Sequence, residues 1–427
     1  EEAKSDPGLG CLSSSVCTGA PPMHFSTSAL YQLCDSARLW QLAASSSPVG
    51  LFRDAVKNAL TQQFALAGSA VPSKKLAKKH LEASKIRSVQ VLEVGDSPLL
   101  CTFAAQQVQQ QRHGTVAVKW KSLHTEEAAA HVKQEFLRAN SCERLVNATA
   151  GSSISFGDLD SEMDAAATRR KRKRGSAAQL ICGEPCFAGM ERTWAGPSLM
   201  RFWSAVHCLS PLLSPSCAVL PGRARLLGAL VECPGLHSIH SPAGTVCGLD
   251  LKPFNQLHSW ERVQSVRLWR HSHKFLSSPT TLLSFDLSAK PEHQTAEVPV
   301  LAVASGSCHA LVLWIDYDLT ASNADCNANS GMKQSATGNT SSCSSSKIVS
   351  TGPALLQVIS SAGKKRKRNS HSRNEQQGAC STYFQGIRLI PSRTGCTALQ
   401  EGTAVTVIAS LDPTVMELDA HAMLPTF

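Results

Sequence analysis

Cysteine and the clustered lysines and arginines are the residue types best placed to do chemistry in this chain, and their spacing decides what each can do. Sixteen cysteines are scattered over 427 residues, and only Cys182 and Cys186 come close together. A tetrahedral zinc site usually draws its ligands as two close pairs. Cys182-Gly183-Glu184-Pro185-Cys186 has no second pair and no CxxC occurs, so no metal site is expected. Scattered thiols of this kind read as reduced cysteines of a cytosolic or nuclear protein. Basic residues tell a similar story. Arg169-Arg170-Lys171-Arg172-Lys173-Arg174 and Lys364-Lys365-Arg366-Lys367-Arg368 together hold eleven positive charges against a formal net charge of +10, which leaves the rest of the chain at −1. A nucleic-acid groove needs charge spread over a folded face, with aromatic rings to stack on bases. Neither is visible, so nucleic acid is not an expected partner. Compact basic runs in polar surroundings read as nuclear import signals, and residence in nucleus and cytoplasm is expected.

The elements that would carry any site follow from hydrophobic periodicity. Leu51, Phe52, Ala55, Val56, Ala59 and Leu60 line one face of a helix. Val89–Val94 reads as a short buried strand, 99–111 as a helix, Thr115–Trp120 as a second strand and 126–140 as another helix. Strand, helix, strand, helix implies parallel strands with crossover helices. Gln179–Cys182 adds a strand and Leu199–Leu209 a helix. Beyond about Cys217 helical periodicity fades. Short β-rich runs follow at Ala218–Leu220, Arg225–Val231, Leu282–Leu287, Val298–Ala304, His309–Leu319 and Thr403–Leu411, which suggests a barrel or sandwich. In the fifth run the odd-numbered residues from His309 to Leu319 face one side and Trp314, Asp316 and Asp318 the other, the pattern of a half-buried antiparallel strand. The organisation expected is a leader without fixed structure at 1–22, an α/β domain at 23–215 with a flexible basic insertion at 148–178, and a β domain at 216–427 with a disordered insertion at 321–380. The longest apolar runs, such as Ala310–Ile315, are too short to span a bilayer, so no membrane is expected. The chain opens on Glu1 with no charged leader before an apolar stretch, which reads as a fragment lacking a signal peptide.

Five strings, in this order, carry a resemblance. They are Val91-Leu92-Glu93-Val94-Gly95-Asp96-Ser97-Pro98-Leu99-Leu100, Cys182-Gly183-Glu184-Pro185-Cys186-Phe187, Cys247-Gly248-Leu249-Asp250-Leu251-Lys252-Pro253-Phe254-Asn255, Leu283-Ser284-Phe285-Asp286-Leu287, and the run from Ser307 to Leu319. Together they resemble the protein arginine methyltransferase family, in particular the second module of its tandem, type III members. The resemblance implies a Rossmann-like S-adenosylmethionine methyltransferase domain followed by an antiparallel β-barrel, and a family that methylates arginine in proteins such as histones.

What the resemblance implies for the site is loss. The family's cofactor turn carries three glycines; here Gly95 remains, with Ser97 and Leu99 at the other two positions, and Glu93 and Asp96 beside it are vestiges. An acid that accepts from both ribose hydroxyls belongs at the end of the second strand, and Lys119 takes that position, a donor with no lone pair. Two buried hydroxyls without acceptors would cost on the order of 1–3 kcal/mol each. Binding of S-adenosylmethionine by this module is therefore not expected. Active members clamp the substrate guanidinium between two glutamates. Glu184 stands where the first belongs, while Glu191 comes too early for the second and reads as a surface residue. The family's Thr-His-Trp loop corresponds to Thr382-Tyr383-Phe384-Gln385, which keeps aromatic character and loses the polar pair. Around 247–260, where the family's dimerisation arm emerges, Phe254 and Trp260 are candidates for an anchoring contact or equally for barrel core. The expected role is a non-catalytic module packed against an active N-terminal module of the same polypeptide. The alternatives are a nuclear interaction protein with no methyltransferase role and a methyltransferase with a rearranged site.

Overall fold

The computed structural model describes residues 48–69, 87–95, 116–124, 131, 133–135, 137–138, 146–150, 177–185, 193–242, 244–257, 262–320, 322–323, 348–353, 383–390, 397–415 and 417–424. The first half contains helix α1 (Pro48–Ser69), strands β1 (Arg87–Val94), β2 (Val116–His124), β3 (Val146–Ala150) and β4 (Ala178–Gly183), helix α2 (Ala195–Cys208) and strand β5 (Leu213–Leu220). Helix forms at α1 because Phe52, Ala55, Val56, Ala59 and Leu60 recur at three- and four-residue spacing, and all five are buried. That face packs on β1 and β4. The strands run in the order β5-β4-β1-β2-β3, every neighbouring pair parallel. Strand order reverses between β1 and β4, so the sheet has a topological switch point, and the crevice beyond their carboxyl ends is where doubly wound folds bind ligands.

The second half is antiparallel. Its strands are β6 (Arg223–Glu232), β7 (Thr245–Val246), β8 (Leu249–Asp250), β9 (Gln264–Val266), β10 (Lys274–Phe275), β11 (Thr280–Asp286), β12 (Gln294–Leu301), β13 (Gly306–Cys308), β14 (Ala310–Asp318), β15 (Ser322–Asn323), β16 (Ile348–Ser350), β17 (Gln385–Leu389), β18 (Thr397–Leu399), β19 (Ala404–Asp412) and β20 (Glu417–Met423), with a short helix α3 (Pro234–Ile239) after β6. Among the described residues, a seven-stranded sheet runs β10-β6-β14-β17-β9, with β11 on β6 and β16 on β14, and a three-stranded sheet runs β12-β19-β20. Their inner faces share a core that includes Leu226, Phe285, Leu313, Val407 and Leu411. The architecture is thus a Rossmann-like α/β domain followed by an antiparallel domain of barrel type.

Four expectations change. First, β14 is buried on both faces from Ala310 to Ile315. Leu311, Leu313, Ile315 and Tyr317 enter the main core, while Ala310, Val312 and Trp314 enter a second one with Leu236, Leu268 and Ile387. Alternation along one strand cannot reveal that another layer covers its second face. Second, Ala218–Leu220 belongs to β5 of the parallel sheet, which carries the α/β unit past residue 215; a short, fully buried apolar run looks the same in either kind of sheet. Third, the segments read as flexible supply strands: Ala148–Ala150 complete β3, Ala178 opens β4, and 321–380 contributes β15 and β16. Val349 is buried there, and Thr351 Oγ1 both accepts from Ile315 N–H and donates to Ile315 O, each at 3.0 Å. A short β-forming pair amid serines and glycines escapes a compositional reading. Fourth, β2 runs on to His124, so Lys119 lies in the body of the strand opposite Gln90, and Leu123 is level with the end of β1. The polar run Lys121-Ser122 hides that continuation. No helix among the described residues is long and apolar enough to cross a membrane.

Candidate functional site at the switch point

β1 ends at Val94 beside Gly183 of β4, so Gly95 and Glu184 follow at the two lips of the crevice. Gly95 has φ +125°, a conformation that favours glycine, and its N–H donates to Leu123 O at 3.2 Å, tying the turn to β2. Glu184 is only 8% exposed. Close packing seals the sheet behind it. A Cβ on Gly183 would lie 2.6 Å from two Phe202 ring carbons and 2.9 Å from Val94 O, so glycine there lets α2 sit directly on the strand ends.

One residue before Val94, Glu93 points into the interior. Its Oε2 accepts from Lys133 Nζ at 3.4 Å, with both side chains fully buried. Lys133 comes from the helical residues between β2 and β3, and Leu137, one turn on, is buried with it. Sequence reasoning missed this partner. A buried acid demands a partner, but which residue supplies it is not written near Glu93 in the sequence. The remaining sequence candidates divide. Asp96, Glu191, Trp260 and the two basic runs at 169–174 and 364–368 lie outside the described residues, as does the helix read at 99–111.

The aromatic stretch leads into β17. Tyr383 is buried and Phe384 half-buried, and the Gln385 amide is spent on structure: Nε2 donates to Thr351 O at 3.1 Å and Tyr383 O at 3.3 Å, while Oε1 accepts from Leu268 N–H at 3.3 Å. The Arg267 guanidinium lies over Phe384, 4.6 Å from the ring centroid. Phe254 is 62% exposed, which removes it from the barrel core. Burial pushes the Cys217 thiol up to about 12, so it is inert at neutral pH. No group of three His, Cys, Asp or Glu among the described residues gathers as a metal site.

A parallel sheet of this order, a crevice at its switch point and an antiparallel barrel-type domain behind it define a Rossmann-like methyltransferase architecture with an appended β domain. The comparisons show which proteins the chain is similar to. Protein arginine N-methyltransferase 7 of Danio rerio is 27% identical over 241 residues, which is 54% of this chain and 32% of that protein. The enzymes of the same name from Cricetulus longicaudatus and Gallus gallus are 32% and 30% identical over 157 and 164 residues, covering 34% and 36% of this chain and 22% and 23% of theirs. The chain therefore spans a third or less of the length of these curated relatives. A solved structure, the Trypanosoma brucei PRMT1 enzyme-prozyme heterotetrameric complex with AdoHcy, aligns with a TM-score of 0.51 at 13% identity over 88% of this chain and 93% of that one, a likeness of fold. No family model matches. The chain resembles one module of the protein arginine N-methyltransferases.

S-adenosylmethionine is the cofactor of that family, and the described residues at this crevice offer no carboxylate to it. Glu93 is paired with Lys133, Glu184 is buried, and the β2 residue level with Val94 at the end of β1 is the apolar Leu123. Neither acid is offered to a ribose or an amino group.

Proposed function

We propose that this chain is a non-catalytic module of a tandem protein arginine methyltransferase, supporting an active N-terminal module of the same polypeptide that transfers methyl groups to arginine in proteins such as histones. The buried Glu93–Lys133 pair carries the reading, because it engages a carboxylate of the strand that leads into the turn at Gly95. The exposed hairpin β7–β8 and the turn after it support the docking half. Leu249 and Phe254 are 67% and 62% exposed, and Val246 and Ile239 are also exposed, an apolar surface suited to covering by another module. The Trypanosoma brucei complex, an enzyme paired with a prozyme, is a precedent for such a division of labour. Import through the two basic runs, with residence in nucleus and cytoplasm, belongs to the same proposal.

Calorimetric titration of the purified chain with S-adenosylmethionine tests it. No saturable heat is expected; tight, saturable binding would overturn the non-catalytic role and favour a rearranged active site.

A further inference from the structure

The seam between α2 and the β domain collects polar groups with nothing to bond. Thr193 Oγ1, Ser198 Oγ and Arg267 Nε are buried without a hydrogen-bond partner among the described residues. One hydrogen bond and one packing contact bring their segments together. Trp194 N–H donates to Ser265 Oγ at 2.9 Å, and the Trp194 indole lies where a Cβ on Gly386 would come within 2.8 Å of it. Thr193 precedes Trp194. Arg267 follows Val266 of β9, and Phe384 precedes Gln385 of β17, which is paired with Val266, so the guanidinium and the ring meet just beyond that pair.

The 14-residue helix α2 starts in the same seam. Its N-terminus has no side-chain cap and no acid in the first turn, and Ala195 and Gly196 carry N–H groups that the helix itself does not use. Cα–Cβ bonds in a helix tilt towards the N-terminus, so Ser198, 5% exposed, directs its hydroxyl back at that first turn. Buried donors without acceptors are costly to a fold. Three such groups beside a positive helix end call for one complement, an oxyanion.

We infer that this seam binds a small oxyanion group, a carboxylate or a phosphate, held by the Arg267 guanidinium, the Thr193 and Ser198 hydroxyls and the first-turn N–H groups of α2. Phe384 orients the guanidinium by stacking and leaves its edge free to donate. The charge is opposite to that of a pocket built to clamp an arginine, and this seam supplies the guanidinium itself. Anion binding here would persist if the hairpin docked nothing.

Thermal unfolding of the purified chain at constant ionic strength, titrated with sodium phosphate and separately with sodium acetate against chloride, tests the site. A saturable rise of about 2–4 °C at tenfold excess over Kd is expected from at least one of them. Phosphate alone identifies a phosphate group as the ligand, and acetate alone a carboxylate. Ser198→Ala removes a hydroxyl with no bond to lose, so the ligand-free melting temperature should hold while the titration midpoint rises about three- to tenfold. Arg267→Leu should abolish the response. Overturning results are a rise that never saturates, no rise with either anion, or an unchanged midpoint in Ser198→Ala, which decides alone if Arg267→Leu does not fold.

Discussion

Glu93 and Lys133 face one another as an ion pair with neither side chain in contact with water. Removing one partner of such a pair leaves an uncompensated buried charge and costs about 3–5 kcal/mol, whereas replacing both by apolar groups of similar size is close to neutral. Lys133→Met should therefore destabilise the chain by that amount in urea unfolding followed by circular dichroism, and Glu93→Leu with Lys133→Met should recover most of the loss. A single variant as stable as the parent would mean that the pair is not closed in solution. His309 makes the second residue-scale case. Its buried Nδ1 accepts from Cys233 N–H at 2.9 Å, which requires a neutral ring, and the His237 ring lies tilted against it with centroids 4.8 Å apart. Burial, then the charge of His237, hold the imidazole below its ordinary value, with Glu232 opposing. Because the folded value is the lower one, the stabilisation is fully present above the ordinary imidazole range and is lost as pH falls through the depressed folded value. The urea midpoint should drop on acidification across that window, and His309→Gln should flatten the dependence. Neither the cation for Glu93 nor the acceptor role of His309 could be read from local sequence, since the partners lie 40 and 76 positions away.

Among the elements, those with strong local periodicity were legible and those defined by their neighbours were not. The spacing of Phe52, Val56 and Leu60 foretold α1, and the run ending at Gly95 foretold β1, because burial of one face is written into a short window. Register and coverage are not. β2 continues through polar Lys121 and Ser122 because β1 and β3 pair with it on either side, and β14 is buried twice because α3 and the segment around Leu268 cover its outer face. Gly183 shows what such contacts demand. Any side chain there must displace either the Phe202 ring or the backbone of β1, the latter being the less yielding. Gly183→Ala should cost about 1–3 kcal/mol as an overpacked core position. Phe202→Leu in the same chain should restore part of it, read as the coupling term of a double-mutant cycle in denaturant. Additivity of the two changes would show that ring and glycine do not press on one another.

At the scale of the whole molecule, the fold is that of an α/β domain with an appended antiparallel domain, and the proposed supporting role is tested at the surface. The end of α3, the hairpin β7–β8 and the turn after it place Ile239, Val246, Leu249 and Phe254 in water. Exposure makes the test clean. Substituting Leu249→Asp and Phe254→Asp removes no core contact and should leave the melting temperature within a degree or two. In the full polypeptide proposed to carry this chain, or with its N-terminal module supplied in trans, the same pair should weaken association at least tenfold by sedimentation or titration, because charges would be forced into an apolar contact. Methyl transfer to a histone peptide should fall in parallel, while the affinity of the N-terminal module alone for S-adenosylmethionine stays as it was. If association and transfer are both untouched, the hairpin docks no module and the supporting role fails, whatever the state of the crevice.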